Sequence, residues 1–204
     1  MLLASACLLA GSAVWAQQSQ KPAGRVSTDL AFTFAAERAQ VLPNTCCFWL
    51  KGVGADASFN FWKGMGVAGA LNSGTAANVE PGVDVKKISY LAGPRYTYTA
   101  WRGKARPNGE RRLQVFAQGL FGGVHGYAGL YPSATGSTSK ANSFALQTGG
   151  GLNYYLTKGF GFRPIEVDFV RSELPNSTTD VQSDLRLSFG LTFHFQEFER
   201  APRR

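Results

Sequence analysis

The stretch DLRLSFGLTFHF, residues 184–195, decides the fold class of this chain. Leu185, Leu187, Phe189, Leu191, Phe193 and Phe195 hold every second position, and Asp184, Arg186, Ser188, Gly190, Thr192 and His194 stand between them. Successive side chains of a strand point to opposite faces, so this period of two predicts an amphipathic β-strand with one unbroken apolar face. That face either lines a protein core or meets lipid.

Seven further segments follow the same rule. In VSTDLAFTFAAE, Leu30, Phe32 and Phe34 oppose Asp29, Thr33 and Glu37; in KGVGADASFNF, Val53, Phe59 and Phe61 oppose Asp56, Ser58 and Asn60. MGVAGAL is weaker, with Met65, Val67 and Leu71 on one parity, and ISYLAGPRYTYTAW sets Ile88, Tyr90, Tyr96 and Tyr98 against Ser89, Arg95 and Thr97. LQVFAQGLFGGV is ambiguous: Gln114 and Gln118 mark its polar face, which also carries Phe116 and Leu120. FALQTGGGLNYYL and IEVDFVR complete the set, with Phe144, Leu146, Leu152 and Tyr154 outward in the first and Ile165, Val167 and Phe169 in the second. The 24 glycines fall inside apolar segments as well as between them, which disfavours helices.

Connections alternate in character. Residues 61–64 and 156–161 are expected to be tight turns, and 38–49, 74–87, 128–142 and 173–182 longer polar loops, the signature of an up-and-down meander in a membrane barrel. Segment 102–112, RGKARPNGERR, falls at the short-turn end but is long and basic.

The polar parity chooses between lipid and core. A water-washed exterior needs Lys and Glu at many positions, whereas here it holds Gly, Ser, Thr, Asn and Gln with a few isolated charges, which suits a narrow lumen. Aromatic residues near the turns, Trp62, Tyr98, Trp101, Tyr154 and Phe160, fit an interfacial girdle. The expected fold is therefore all-β, an eight-stranded antiparallel up-and-down transmembrane β-barrel at 26–195.

Charge and cysteines exclude several classes. The net charge of +8 sits largely in connections such as WRGKARPNGERR and in APRR, and no recurring basic-aromatic signature points to nucleic acid. The opening MLLASACLLAGSAVWAQ has the apolar run and small residues of a signal peptide, expected at 1–16. It is followed by a periplasmic segment at 17–25, and a periplasmic tail is expected at 196–204. Cys46 and Cys47 are adjacent, with Cα atoms about 3.8 Å apart, so a bridge between them would be strained and free or intermolecular thiols are expected. With His125 and His194 the only histidines and no ligand spacing, no metal and no cofactor are expected.

The terminal SFGLTFHF carries more than alternation. Ser188, Gly190, Phe193 and Phe195 stand in an order that resembles the signal by which outer-membrane barrels are recognised by the insertion machinery of Gram-negative bacteria. Together with the strand plan, the chain resembles the small eight-stranded outer-membrane proteins of the OmpA/OmpX type. The resemblance implies an outer-membrane location with both termini periplasmic, contact with outer-membrane lipid and lipopolysaccharide, and the insertion machinery as a partner in assembly. In that family the signal ends the polypeptide, whereas QEFERAPRR follows here, a tail too short for the peptidoglycan-binding domain of larger relatives.

On the polar parity, Asp56, Arg95, Glu166 and Asp168 fall near mid-strand and are expected to share one lumenal layer as a satisfied charge network, since a buried charge must find a partner. Three functions remain in view. A non-enzymatic barrel acting through its extracellular loops is expected, because no catalytic constellation is present and the sequence names no loop ligand. A lipid A-modifying enzyme would have to use His125 in GGVHGYAG, yet Gly126 and Tyr127 follow where a nearby Ser belongs. A narrow pore is the third, against which stands the small bore of eight strands.

Overall fold

The computed structural model describes residues 26–39, 48–80, 83–104, 111–133, 136–175 and 181–196. The signal peptide, most of both terminal segments, and Cys46 and Cys47 lie outside them. Eight strands run in chain order: β1 (Ser27–Ala39), β2 (Phe48–Trp62), β3 (Met65–Glu80), β4 (Val83–Arg102), β5 (Arg112–Ser133), β6 (Gly136–Tyr155), β7 (Phe160–Ser172) and β8 (Gln182–Gln196). Each pairs antiparallel with the next, and β8 returns to β1, for example through Phe34↔Phe189, to close a barrel. No sheet edge is left open, so the backbone needs no water along the wall.

Parity divides the side chains as the alternation requires. Asp29, Ala31, Thr33 and Glu37 of β1 are buried, whereas Phe32 and Phe34 are 56% and 62% exposed. The same apolar exposure continues through Leu71, Tyr90, Phe121, Phe169 and Phe189, a surface far larger than a water-soluble monomer presents. Gln114, Phe116, Gln118 and Leu120 all face inward, which resolves the ambiguous strand. Near the short turns the outer face becomes a ladder of rings: Phe32 and Phe160 lie 6.3 Å and 5.6 Å from Phe193, and Tyr154 lies 5.3 Å from Phe162.

The turn joining β2 to β3 has two residues, Lys63 (φ 45°) and Gly64 (φ 89°). Two successive positive φ values make the type I′ turn whose twist matches a hairpin, and glycine takes the second without a Cβ penalty.

At the other end the expected loops 74–87 and 128–142 are corrected. β3 continues to Glu80 before β4 starts at Val83, and β5 continues to Ser133 before β6 starts at Gly136. A strand crosses a bilayer in about 9–11 residues, whereas β5 has 22 and β4 and β6 have 20 each. The excess forms two-stranded ribbons beyond the apolar band. Their sequences show little alternation, yet backbone pairing continues, and Tyr131 of β5 and Ala76 of β3 still turn inward and are buried.

Candidate functional site in the barrel lumen

Inward side chains from all eight strands meet in layers. In the middle, Arg95 of β4 donates from Nη1 to Asp56 Oδ1 of β2 at 2.7 Å, and from Nε and Nη2 to Gln118 Oε1 of β5 at 3.0 and 2.5 Å. Gln118 Nε2 passes the contact on, donating to Glu166 Oε1 at 2.9 Å and Asp168 Oδ1 at 3.2 Å on β7. Arg163 closes the circuit. Its Nη1 lies 2.6 Å from Asp56 Oδ2 and 2.8 Å from Glu166 Oε2, and its Nε donates to Asn153 Oδ1 at 2.9 Å. The Arg95 and Arg163 guanidinium carbons lie 4.6 and 4.5 Å from the centre of the Phe116 ring, adding cation–π contact to the ion pairs.

The four residues expected here are thus brought into one network, though not all by ion pairs: Asp168 joins through Gln118. Arg163 was not expected. Strict alternation from Ile165 puts Arg163 on the outer face, but the pairing with β8 shifts between Arg163↔Gly190 and Glu166↔Ser188. This β-bulge turns Pro164 and Ile165 outward together and leaves both Arg163 and Glu166 inward. The available signal was Pro164, since proline inside a strand is confined to edges and bulges.

The expectation of a few isolated lumenal charges is also corrected. Towards the short-turn end, Asp29 lies 2.5 Å from His194 Nδ1, accepts from Tyr155 Oη at 2.9 Å and from Asn60 Nδ2 at 3.0 Å, and the Arg112 guanidinium covers the Tyr155 ring at 4.4 Å. Towards the opposite end, Lys87 bonds both Glu37 and Asp184, the latter at 2.9 Å. Between the middle and upper charges lies a contact from Asn72 to Gln147 at 3.2 Å and an apolar cluster of Ala68, Ala70, Leu91, Leu120, Val124, Ala145, Tyr131 and Leu174. Charged side chains thus recur at three levels, held by opposite charges in the middle and upper levels and, around Asp29 in the lower one, by an imidazole, a phenol and an amide.

The residues of the expected insertion signal also have places in the folded barrel. Ser188 Oγ donates to Glu166 Oε2 at 3.0 Å, joining the central network. A Cβ at Gly190 would stand 1.9 Å from the Phe32 carbonyl oxygen, so no other residue fits without a backbone shift. Phe193 and Phe195 lie on the outer face. His125 is on the outer face too, its Nδ1 2.6 Å from Asn142 Oδ1 and its ring stacked on Tyr127 at 5.9 Å. The ring therefore meets an amide and a phenol rather than a serine or a carboxylate. Among the described residues no group of three His, Cys, Asp or Glu side chains is arranged to hold a metal.

No family model matches the chain, and no curated protein matches it by sequence. Solved structures do. Neisserial surface protein A is similar with a TM-score of 0.54 at 12% identity, over 83% of this chain and 97% of that one. The fold is that of a small outer-membrane β-barrel. The attachment invasion locus protein Ail of Yersinia pestis, solved with the heparin analogue sucrose octasulfate, is similar with a TM-score of 0.49 at 18% identity, over 84% of this chain and 99% of that one. The N-terminal barrel domain of Pseudomonas aeruginosa OprF has a TM-score of 0.41 at 17% identity, again over 84% and 99%. At these identities the likeness is one of fold.

Proposed function

We propose that the protein is a non-enzymatic barrel of a Gram-negative outer membrane whose work is done by the ribbons and loops projecting from one end. The observation that carries this reading is the asymmetry of the strands. At the end of the two-residue Lys63–Gly64 turn they stop just past an aromatic girdle, while at the other end β3–β4 and β5–β6 run on as paired ribbons well beyond the apolar band. A barrel with a filled lumen has little else to offer a partner than such a surface. Export by the signal at 1–16, insertion through Ser188, Gly190, Phe193 and Phe195, and periplasmic placement of 17–25 and 196–204 belong to the same reading. An even number of strands puts both termini on one side, opposite the ribbons.

Protease added to intact cells tests it. Cleavage within 38–49, 128–142 or 173–182, with 102–112 spared until the outer membrane is opened, is the expected pattern. Cleavage at 102–112 in intact cells would invert the orientation and remove the ribbons from the cell surface.

A further inference from the structure

The lumen and the ribbons leave one feature of the outer face unused. Along β4 the outward residues run Tyr96, Ala92, Tyr90, Ile88 and then Lys86; along β6 they run Leu152, Leu146, Phe144, Asn142 and then Lys140. On β5, which lies between them, Phe121 and Gly123 give way to His125 and Tyr127. Each strand changes from apolar to polar in the same direction, towards the ribbons.

Register brings these positions together. Lys86 pairs with Tyr127, and Tyr127 with Lys140, so the three stand in a single cross-strand row. Ile88, His125 and Asn142 form the next row towards the apolar band, and Tyr90, Gly123 and Phe144 the one after that. Neighbouring strands are about 4.8 Å apart, so the two lysine Cα atoms are separated by about 10 Å, and their flexible arms can converge over Tyr127. His125 is already fixed by Asn142 and by stacking on Tyr127, which leaves its other ring nitrogen on the patch. Two ammonium groups, a phenol and an imidazole at the upper limit of an apolar wall match a phosphorylated headgroup whose acyl chains lie against that wall.

We infer that Lys86, His125, Tyr127 and Lys140 form a binding site for a phosphate of the outer-leaflet glycolipid, lipopolysaccharide. The site rests on the orientation proposed above, because the outer leaflet is the one at the ribbon end. Its chemistry deepens that reading: the ribbons are held at the surface by a lipid bound at their base.

The test uses the full mature protein folded in detergent micelles, its folding checked by heat-modifiable migration, with bound lipid counted by native mass spectrometry. The probes are lipid A with its phosphates and lipid A from which they have been removed. The double variant Lys86→Gln/Lys140→Gln is compared with Lys158→Gln, an exposed lysine in the turn at the other end. Phosphorylated lipid A should bind the wild type and Lys158→Gln alike and the double variant about tenfold or more weakly, and dephosphorylated lipid A should bind all three weakly. Equal binding of the two lipids by the wild type would overturn the site while leaving the orientation standing. Loss of binding in Lys158→Gln with the double variant unaffected would overturn both.

Discussion

Leu187 and Ser188 are neighbours on β8 and live in different solvents. Leu187 stands on the outer wall, 39% exposed, and Ser188 is buried 3.0 Å from a Glu166 oxygen in the central charge network. The same contrast holds around the barrel: the outer face is an apolar band finished with aromatic rings, and the inner face is a stack of ion pairs. Two opposite hydrophobic rules therefore operate on one backbone. A bilayer makes the exposed apolar wall stable, and a bore only wide enough for side chains to meet makes the buried charges tolerable, because it brings opposite charges and amides within reach of them. Neither face is stable in the other's place.

The largest expected break in that contrast comes from within. Arg163→Ala strips Asp56 and Glu166 of their shared cation and should lower unfolding free energy in lipid vesicles by about 3–5 kcal/mol, less where water enters. Arg95→Ala should cost less, since Arg95 pairs with one carboxylate and an amide while Arg163 holds two carboxylates. Urea titration followed by tryptophan emission gives both values, and equal or reversed costs would show that Arg163 is not the keystone of the network. On the outer face, Leu191→Arg puts a charge on the lipid side and should cost about 2–4 kcal/mol if the site lies near mid-bilayer. The same titration in a soluble, detergent-free state is no substitute; a neutral result in vesicles would mean that this wall does not face hydrocarbon. A more local effect is expected at the hairpin joining β2 to β3. Gly64→Ala must hold alanine at φ 89° and would set its Cβ 2.1 Å from the Thr97 carbonyl oxygen, so it should cost more than the about 1–2 kcal/mol of the backbone conformation alone, with no change in the lumen.

Much of this was legible in the sequence because the membrane writes a period of two wherever it touches the strand. β8 shows it without interruption, so the inward placement of Asp184, Arg186, Ser188 and Thr192 could be read directly. Arg163 could not be read by counting, because the bulge at Pro164 and Ile165 shifts the parity of everything on its N-terminal side. The ribbons escaped for a different reason. In 128–142 the polar, Gly- and Ser-rich composition describes solvation and says nothing of pairing, and β5 continues through Ala128, at φ 59°, with an irregular register between Tyr127 and Tyr131. That break carries Tyr131 inward onto the apolar cluster with Leu174. In the central network, Asp56, Arg95, Glu166 and Asp168 were visible as charges on a polar parity, whereas the role of Gln118 as the amide joining Arg95 to Glu166 and Asp168 depends on depth, which alternation does not encode.

Conductance tests most directly whether the inner face is a closed stack of paired charges. Purified wild-type protein reconstituted into planar bilayers should show little or no steady current, and Arg163→Ala and Arg95→Ala should leak, with Arg163→Ala the leakier of the two. Large, stable channels from the unmutated protein would contradict a sealed lumen and make solute passage, rather than the projecting ribbons, the function of the barrel.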